Sequence, residues 1–219
     1  GLPGLLADSL PDAYGNQLIE LWLARNGRPP NSLNPVEQLC FIGERGMGAL
    51  EFLPSTMGSK HEDNELELSS MVEIAHRMLQ ERQDFKSKVD YQQEQAIKAV
   101  LQLGTSAGGA RPKAVIAFHP ETGKIRSGQL AAAPGFEHWL IKLDGVSDAQ
   151  FGSSSGWGRV EYAYALMAQS CGISMEPCRL LEENGRAHFM TKRFDRNKQG
   201  QKHHIQTWCA LQHLDFNHM

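Results

Sequence analysis

The residues best suited to hold an anion lie in one stretch, Gly104-Thr105-Ser106-Ala107-Gly108-Gly109-Ala110-Arg111-Pro112-Lys113. Its glycines let the backbone approach a ligand closely and turn N–H groups toward a phosphate, and Lys113 adds a positive charge at the far end. The Walker A spacing G-x-x-x-x-G-K-[ST] is absent, so a plain glycine-rich turn into the apolar run 114–118 fits the same residues. Downstream, Lys142 interrupts the apolar strand pattern of 138–143. An unpaired ammonium there is costly, so Lys142 is paired, ligand-bound or turned to solvent. Glu161 follows in a helical segment and either partners Lys142 or, as a first-turn glutamate, complements the helix dipole. Lys192-Arg193-Phe194 closes a strand pattern begun at His188, where solvated cations are the plain reading, and Asp195-Arg196 reads as a surface turn.

A glycine-rich loop, a strand lysine, a helix glutamate and a further strand, in that order, are the parts of a kinase-type N-lobe. There the lysine grips nucleotide phosphates and the glutamate holds the lysine. The elements that must position these residues follow from periodicity. A turn-rich opening leads to a helix before residue 25, with Leu18, Ile19, Leu21, Trp22 and Leu23 apolar and Asp12 or Asn16 as N-cap. The segment 26–31 breaks it, and Asn34-Pro35 starts a second helix over 34–41. A turn at 43–48, a short strand at 49–53 and a polar linker at 56–64 come next. Capping and loop salt bridges account for Asp8, Asp12, Glu44 and Arg45.

Apolar residues at three- and four-residue intervals mark amphipathic helices over 66–81 and from 91 to about 101. Strands at 114–118, near 124–126 and at 138–143 suggest an antiparallel sheet. A Ser/Gly loop at 152–158 leads into the Glu161 helix, which closes at Cys171-Gly172. Glu183-Asn184-Gly185 turns a hairpin between 178–181 and 186–194. The expected fold is α+β, an antiparallel kinase-like N-lobe after a small helical subdomain. The division falls into 1–101, mainly helical, and 102–219, nucleotide-binding.

Composition narrows the classes. A net charge of −3 gives no broad basic field for nucleic acid or a membrane surface. No apolar run approaches bilayer-spanning length, and no signal-like segment precedes the first element. Cys40, Cys171, Cys178 and Cys209 form no C-x-x-C pair and read as small buried hydrophobes; the histidines lack metal-site spacing.

The sequence resembles the HipA-like serine/threonine kinases, toxins of bacterial HipBA-type toxin–antitoxin pairs. The resemblance runs over essentially the whole chain and is carried by 6–12, 42–50, 105–113, Ile141-Lys142-Leu143, Glu161-Tyr162 and 192–196, in the family's order. It implies ATP and Mg²⁺ as cofactors. Gly108, Gly109, Ala110, Arg111, Pro112, Lys113, Lys142 and Glu161 would serve the phosphates, and the Lys192-Arg193-Phe194 backbone would meet the adenine edge. It further implies transfer of the γ-phosphoryl to a protein serine, with aminoacyl-tRNA synthetases as family substrates. A HipB-like DNA-binding antitoxin would be the partner, DNA being met only through it, at a cytoplasmic location. Ser106 matches the loop serine that family members autophosphorylate, ejecting the loop; a turn-forming serine is the plain alternative, and Thr105 is a second acceptor. Members begin with a β-rich subdomain before the Leu-Pro-Asp block and carry the catalytic aspartate and metal ligands in a C-terminal lobe. The chain is therefore expected to be a fragment, with no catalytic residue or metal ligand of its own before Met219 and no turnover. The alternative is a non-catalytic interaction module on a degenerate kinase framework, with a phosphate-loop metabolite binder third.

Overall fold

Local sequence signals start and stop most elements. The computed structural model describes residues 1–57, 66–80, 91–105, 107–129, 133–146, 155–197 and 199–214. In chain order they form α1 (Gly4–Ala7), α2 (Ala13–Arg25), α3 (Pro35–Ile42) with a 3-10 turn (Gly43–Arg45), α4 (Leu68–Gln80) and α5 (Tyr91–Gly104). Then come β1 (Lys113–Phe118), β2 (Ile125–Ser127), β3 (Glu137–Lys142), α6 (Trp157–Ser170), β4 (Cys178–Glu183), β5 (Arg186–Lys192) and α7 (Trp208–Leu211). The Asn34 side chain accepts the Val36 and Glu37 amides at 2.9 and 3.0 Å, and the Glu37 carboxylate accepts the Asn34 amide at 2.8 Å, completing a capping box. Asn184 and Gly185, at φ 45° and 76°, supply the two positive-φ residues that turn β4 tightly into β5.

The strands make one antiparallel sheet in the order β2-β1-β3-β5-β4, so the α+β class is as expected. Alternate residues Ala114, Ile116, Phe118, Trp139 and Ile141 share a face with Met190. They join Leu18 of α2, Val72 and Ala75 of α4, and Val100 and Leu101 of α5 in one apolar core. Fully burying a Phe, Ile or Met side chain contributes about 1.5–3 kcal/mol. The exposed Arg159–Glu182 pair on the surface contributes about 0–1 kcal/mol. Apolar burial therefore decides that helices and sheet hold together.

The other face of the sheet carries Lys113, Leu140, Lys142 and Phe189. Helix α6 packs here on β4 and β5. Its approach requires Gly158, where a Cβ would stand 1.8 Å from the Ala187 carbonyl oxygen and 3.0 Å from the Phe189 nitrogen.

Three expectations are corrected. Residues 49–53 form no strand: the Phe52 amide bonds the Gly43 carbonyl at 3.1 Å, and the segment takes no place in the sheet. None of the four cysteines is buried. Cys171 is exposed just past the last turn of α6, and the other three are half-buried, all as free thiols. Asp195-Arg196 is no surface turn. Asp195 is wholly buried and accepts from Arg193 Nε and Nη2 (2.8 and 2.6 Å), Arg196 Nη1 (2.8 Å) and the Gly48 amide (2.7 Å). Arg196 also donates to the carbonyls of Gly48 and Gly46, so the knot joins the turn after α3 to the end of the sheet. Of the expected linker 56–64, residues 58–64 lie outside the described residues, as does 152–154 of the Ser/Gly loop.

Burial alone pushes the Asp195 carboxyl upward, but Arg193, the Gly48 amide and Arg196 outweigh it and hold it below the ordinary carboxylate range. A carboxyl lowered in the folded state stabilises above its unfolded value and loses that contribution as pH falls through the folded one. Asp195→Ala should cost about 3–5 kcal/mol in urea unfolding at pH 7, because it strands the buried Arg193. The wild-type chain should lose stability as the pH falls below about 4, a loss that Asp195→Asn should flatten.

Candidate functional site

Strand register sets the site's charges side by side. Lys113 of β1 lies directly opposite Lys142 of β3, and antiparallel partners project to the same face. Lys142 Nζ meets Glu161 Oε2 at 2.5 Å, and the ammonium lies 5.9 Å from the Phe189 ring centre. Their side chains remain 36% and 26% exposed, so a ligand can reach the pair. Glu161 is not a first-turn residue. It sits a full turn inside α6, which begins at Trp157, and reaches Lys142 because Gly158 lets the helix settle onto β5.

The end of β3 is tied down on both sides. The Leu143 amide donates to the Pro112 carbonyl (2.9 Å), the Asp144 amide to His188 Nδ1 (2.8 Å), and the Ala187 amide to Asp144 Oδ2 (3.2 Å). With Nδ1 accepting, His188 Nε2 carries the proton and donates to Glu183 Oε1 at 3.1 Å. Burial lowers the His188 pKa against the opposing pull of Glu183, so the neutral ring serves as a strut.

The glycine-rich loop is stitched down by the chain's own groups. Gly109 has φ 105°, its amide donates to Asp12 Oδ2 at 2.6 Å and its carbonyl accepts the Tyr14 amide at 3.3 Å. Lys113, only 3% exposed, turns its ammonium back to the Gly108 carbonyl at 2.7 Å, 5.9 Å from the Tyr14 ring centre. Arg111 stacks on Trp157 at 4.2 Å, bridging the loop to the start of α6. Ala110 and Pro112 complete the loop, and Ser106 lies outside the described residues. Asp12 stands at the N-cap position of α2 without capping it, and Asn16 lies inside that helix with its side chain on the Pro11 carbonyl. Asp8 accepts from the Thr207 amide and hydroxyl at 2.7 and 2.6 Å, while Arg45 donates to the Phe41 and Ile42 carbonyls at the end of α3. Where capping or loop salt bridges were expected of them, neither makes a salt bridge among the described residues.

The third group lies farther along the sheet. Lys192 pairs with Trp139, three residues from Lys142 on β3, or about 10 Å away. Lys192 Nζ bonds Glu137 at 2.5 Å. Its amide donates to the Pro177 carbonyl and that of Arg193 to the His138 carbonyl. The Arg193 side chain is sealed against Asp195, against the expectation of a solvated cation, whereas Phe194 is 62% exposed. A cavity of about 620 Å³ opens here between His119, Phe136, His138, Lys192 and Arg193. Among the described residues, then, the loop, Lys113, Lys142 and Glu161 come together, and Lys192-Arg193-Phe194 stands apart at the strand end.

Sequence reasoning missed three contributors: Asp12, Tyr14 and Trp157. In sequence Asp12 reads as a cap or a loop salt-bridge partner, and no local pattern links it to Gly109, 97 positions away.

The family model described as the HipA-like C-terminal domain matches residues 105–219, more than half of the chain, and that of the HipA N-terminal domain matches 1–53. The chain belongs to the HipA-like family. HipA-like proteins are in general toxin kinases paired with a HipB antitoxin. A search of the curated proteins returns no match. Both matched regions of this HipA-like chain meet at the site, since Asp12 and Tyr14 come from the first and the loop from the second. Among the described residues, no three His, Cys, Asp or Glu side chains gather to hold a metal ion, and no helix is long and apolar enough to cross a membrane.

Burial, then the Lys142 charge, push the Lys113 pKa down to about 8, with Asp12 and Glu161 pulling the other way. A lysine lowered in the folded state costs stability where both states are protonated. That cost is relieved as pH rises from about 8 toward the ordinary lysine value of 10.5. The Lys113 Cε resonance should titrate with a midpoint near 8 in ¹³C NMR and move upward in Lys142→Met. An unchanged midpoint in that variant would separate the two ammonium groups.

Proposed function

We propose that this HipA-like chain is the ATP-binding portion of a protein serine/threonine kinase of the type II toxin class. The observation that carries the reading is the Lys142–Glu161 pair, joining β3 to α6 beside the glycine-rich loop. Chain order β3-α6-β4-β5 with spatial order β3-β5-β4 supports it, because the second strand of the hairpin after the helix returns beside the lysine strand. The donor set fits a triphosphate: the part-exposed Lys142 ammonium, and a loop whose Gly108 and Gly109 are exposed.

In this reading loop amides other than that of Gly109, which Asp12 holds, join Lys142 in holding the phosphates, Glu161 keeps Lys142 in place, and Lys113 holds the loop by Gly108. The backbone of Lys192-Arg193-Phe194 meets the adenine, at a spacing a nucleotide can span. Bound Mg²⁺-ATP supplies the γ-phosphoryl group, with Mg²⁺ neutralising phosphate charge; no described residue is assigned to the metal or to the general base. The acceptor is a protein serine, with an aminoacyl-tRNA synthetase as substrate, a HipB-like antitoxin as partner and Ser106 as the autophosphorylated residue. A second reading, a non-catalytic interaction module, is favoured by the outer face of α6, where Val160, Tyr164 and Met167 are exposed.

Thermal unfolding separates the two. A ligand that binds only the folded state stabilises by RT ln(1 + [L]/Kd), about 2.7 kcal/mol at a hundredfold excess over Kd. Mg²⁺-ATP should raise the Tm of the wild-type chain and leave Lys142→Ala unmoved. Equal Tm values with and without nucleotide would overturn nucleotide binding and favour the interaction module.

A further inference from the structure

The side chain of Asp12 spends its carboxylate across the fold. It occupies the N-cap position of α2 in an extended conformation, where an aspartate ordinarily satisfies the helix's own amides, yet it makes no capping bond. Instead Oδ2 accepts the Gly109 amide at 2.6 Å, a short charge-assisted bond. Two residues on, the Tyr14 amide donates to the Gly109 carbonyl, so the start of α2 grips both peptide groups of one loop residue. Lys113 holds the adjoining Gly108 carbonyl. The fit at the loop is close, since a Cβ on Gly108 would stand 2.9 Å from Asp12 Oδ2.

We propose that Asp12 is the positioning residue of the glycine-rich loop, shaping it to receive the phosphates of a nucleotide without touching them. The proposal rests on the nucleotide-binding reading above. A carboxylate this close to a triphosphate would repel it if it merely filled the anion's place. Its worth therefore lies in the acceptor oxygen, which fixes Gly109 at its positive φ, rather than in its charge. Removing the acceptor leaves a flexible glycine pair that must be ordered when phosphate binds, and that ordering cost appears only for ligands that bear phosphate.

The test uses the full 219-residue chain with two substitutions, ATP and adenosine as ligands, and calorimetry and amide hydrogen exchange as readouts. Serine is a strong N-cap but too short to reach Gly109, so Asp12→Ser keeps α2 intact while freeing the loop. Asp12→Asn keeps an acceptor oxygen at full length and removes the charge. Asp12→Ser should weaken ATP about tenfold, the loss of one hydrogen bond to the loop, and leave adenosine unchanged. Asp12→Asn should bind ATP within about twofold of wild type. Exchange over 107–113 should quicken in Asp12→Ser and not in Asp12→Asn. Unchanged or tighter ATP binding by Asp12→Ser, an equal loss for ATP and adenosine, or unaltered exchange would overturn the positioning role while leaving nucleotide binding standing. A wild-type chain that binds neither ligand would overturn the nucleotide reading and this proposal with it.

Discussion

A carboxylate with no exposed surface holds two distant parts of this chain to one geometry. Asp195 takes hydrogen bonds from two arginines and from the Gly48 amide, and Arg196 reaches on to the carbonyls of Gly46 and Gly48. A buried charge is tolerable only when its lone pairs are filled, so neither the turn after α3 nor the end of β5 can move without exposing the other's cost. Lys202 reinforces the junction by bonding the Glu44 carbonyl and the Glu51 carboxylate. The two regions matched by the HipA N-terminal and C-terminal family models are joined by this knot as well as by the apolar core.

The face of the sheet that carries Lys113 and Lys142 obeys the opposite logic. Its lysines are close enough to raise each other's energy, and each is stabilised by a different device: Lys142 by the carboxylate of Glu161, Lys113 by a loop carbonyl. The first arrangement leaves a cation partly exposed, and the second uses a cation to brace the loop backbone. Helix α6 governs both, through Glu161 and through the Trp157 ring under Arg111. Its seat against β5 depends on the missing side chain of Gly158.

Much of this architecture was legible in the sequence because it is set by local chemistry. Periodicity located α4 and α5, the Asn34-Pro35 pair located α3, and Asn184-Gly185 located the last hairpin. The Lys142–Glu161 pairing was legible as one of the arrangements open to them, because an unpaired ammonium in an apolar strand is costly and a helix glutamate follows it in kinase-type order. The failures share a different cause. The strand expected at 49–53 needed an edge to pair with, Cys171 needed a covering element, and Arg193 and Asp195 needed knowledge of what covers them.

The sequence by itself determined most of the elements and their order, the glycine-rich loop and the short set of partners open to Lys142 and Glu161, since propensity, turn chemistry and the cost of unpaired charge act within a few residues or through residue type. Only the tertiary structure decided which carboxylates serve the loop and which serve the knot. Asp12 and Asp195 are both acids beside ordinary turn or helix-start signals. One reaches Gly109 and the other disappears beneath two arginines because chain folding, and nothing in their own neighbourhoods, brings those donors within hydrogen-bonding distance.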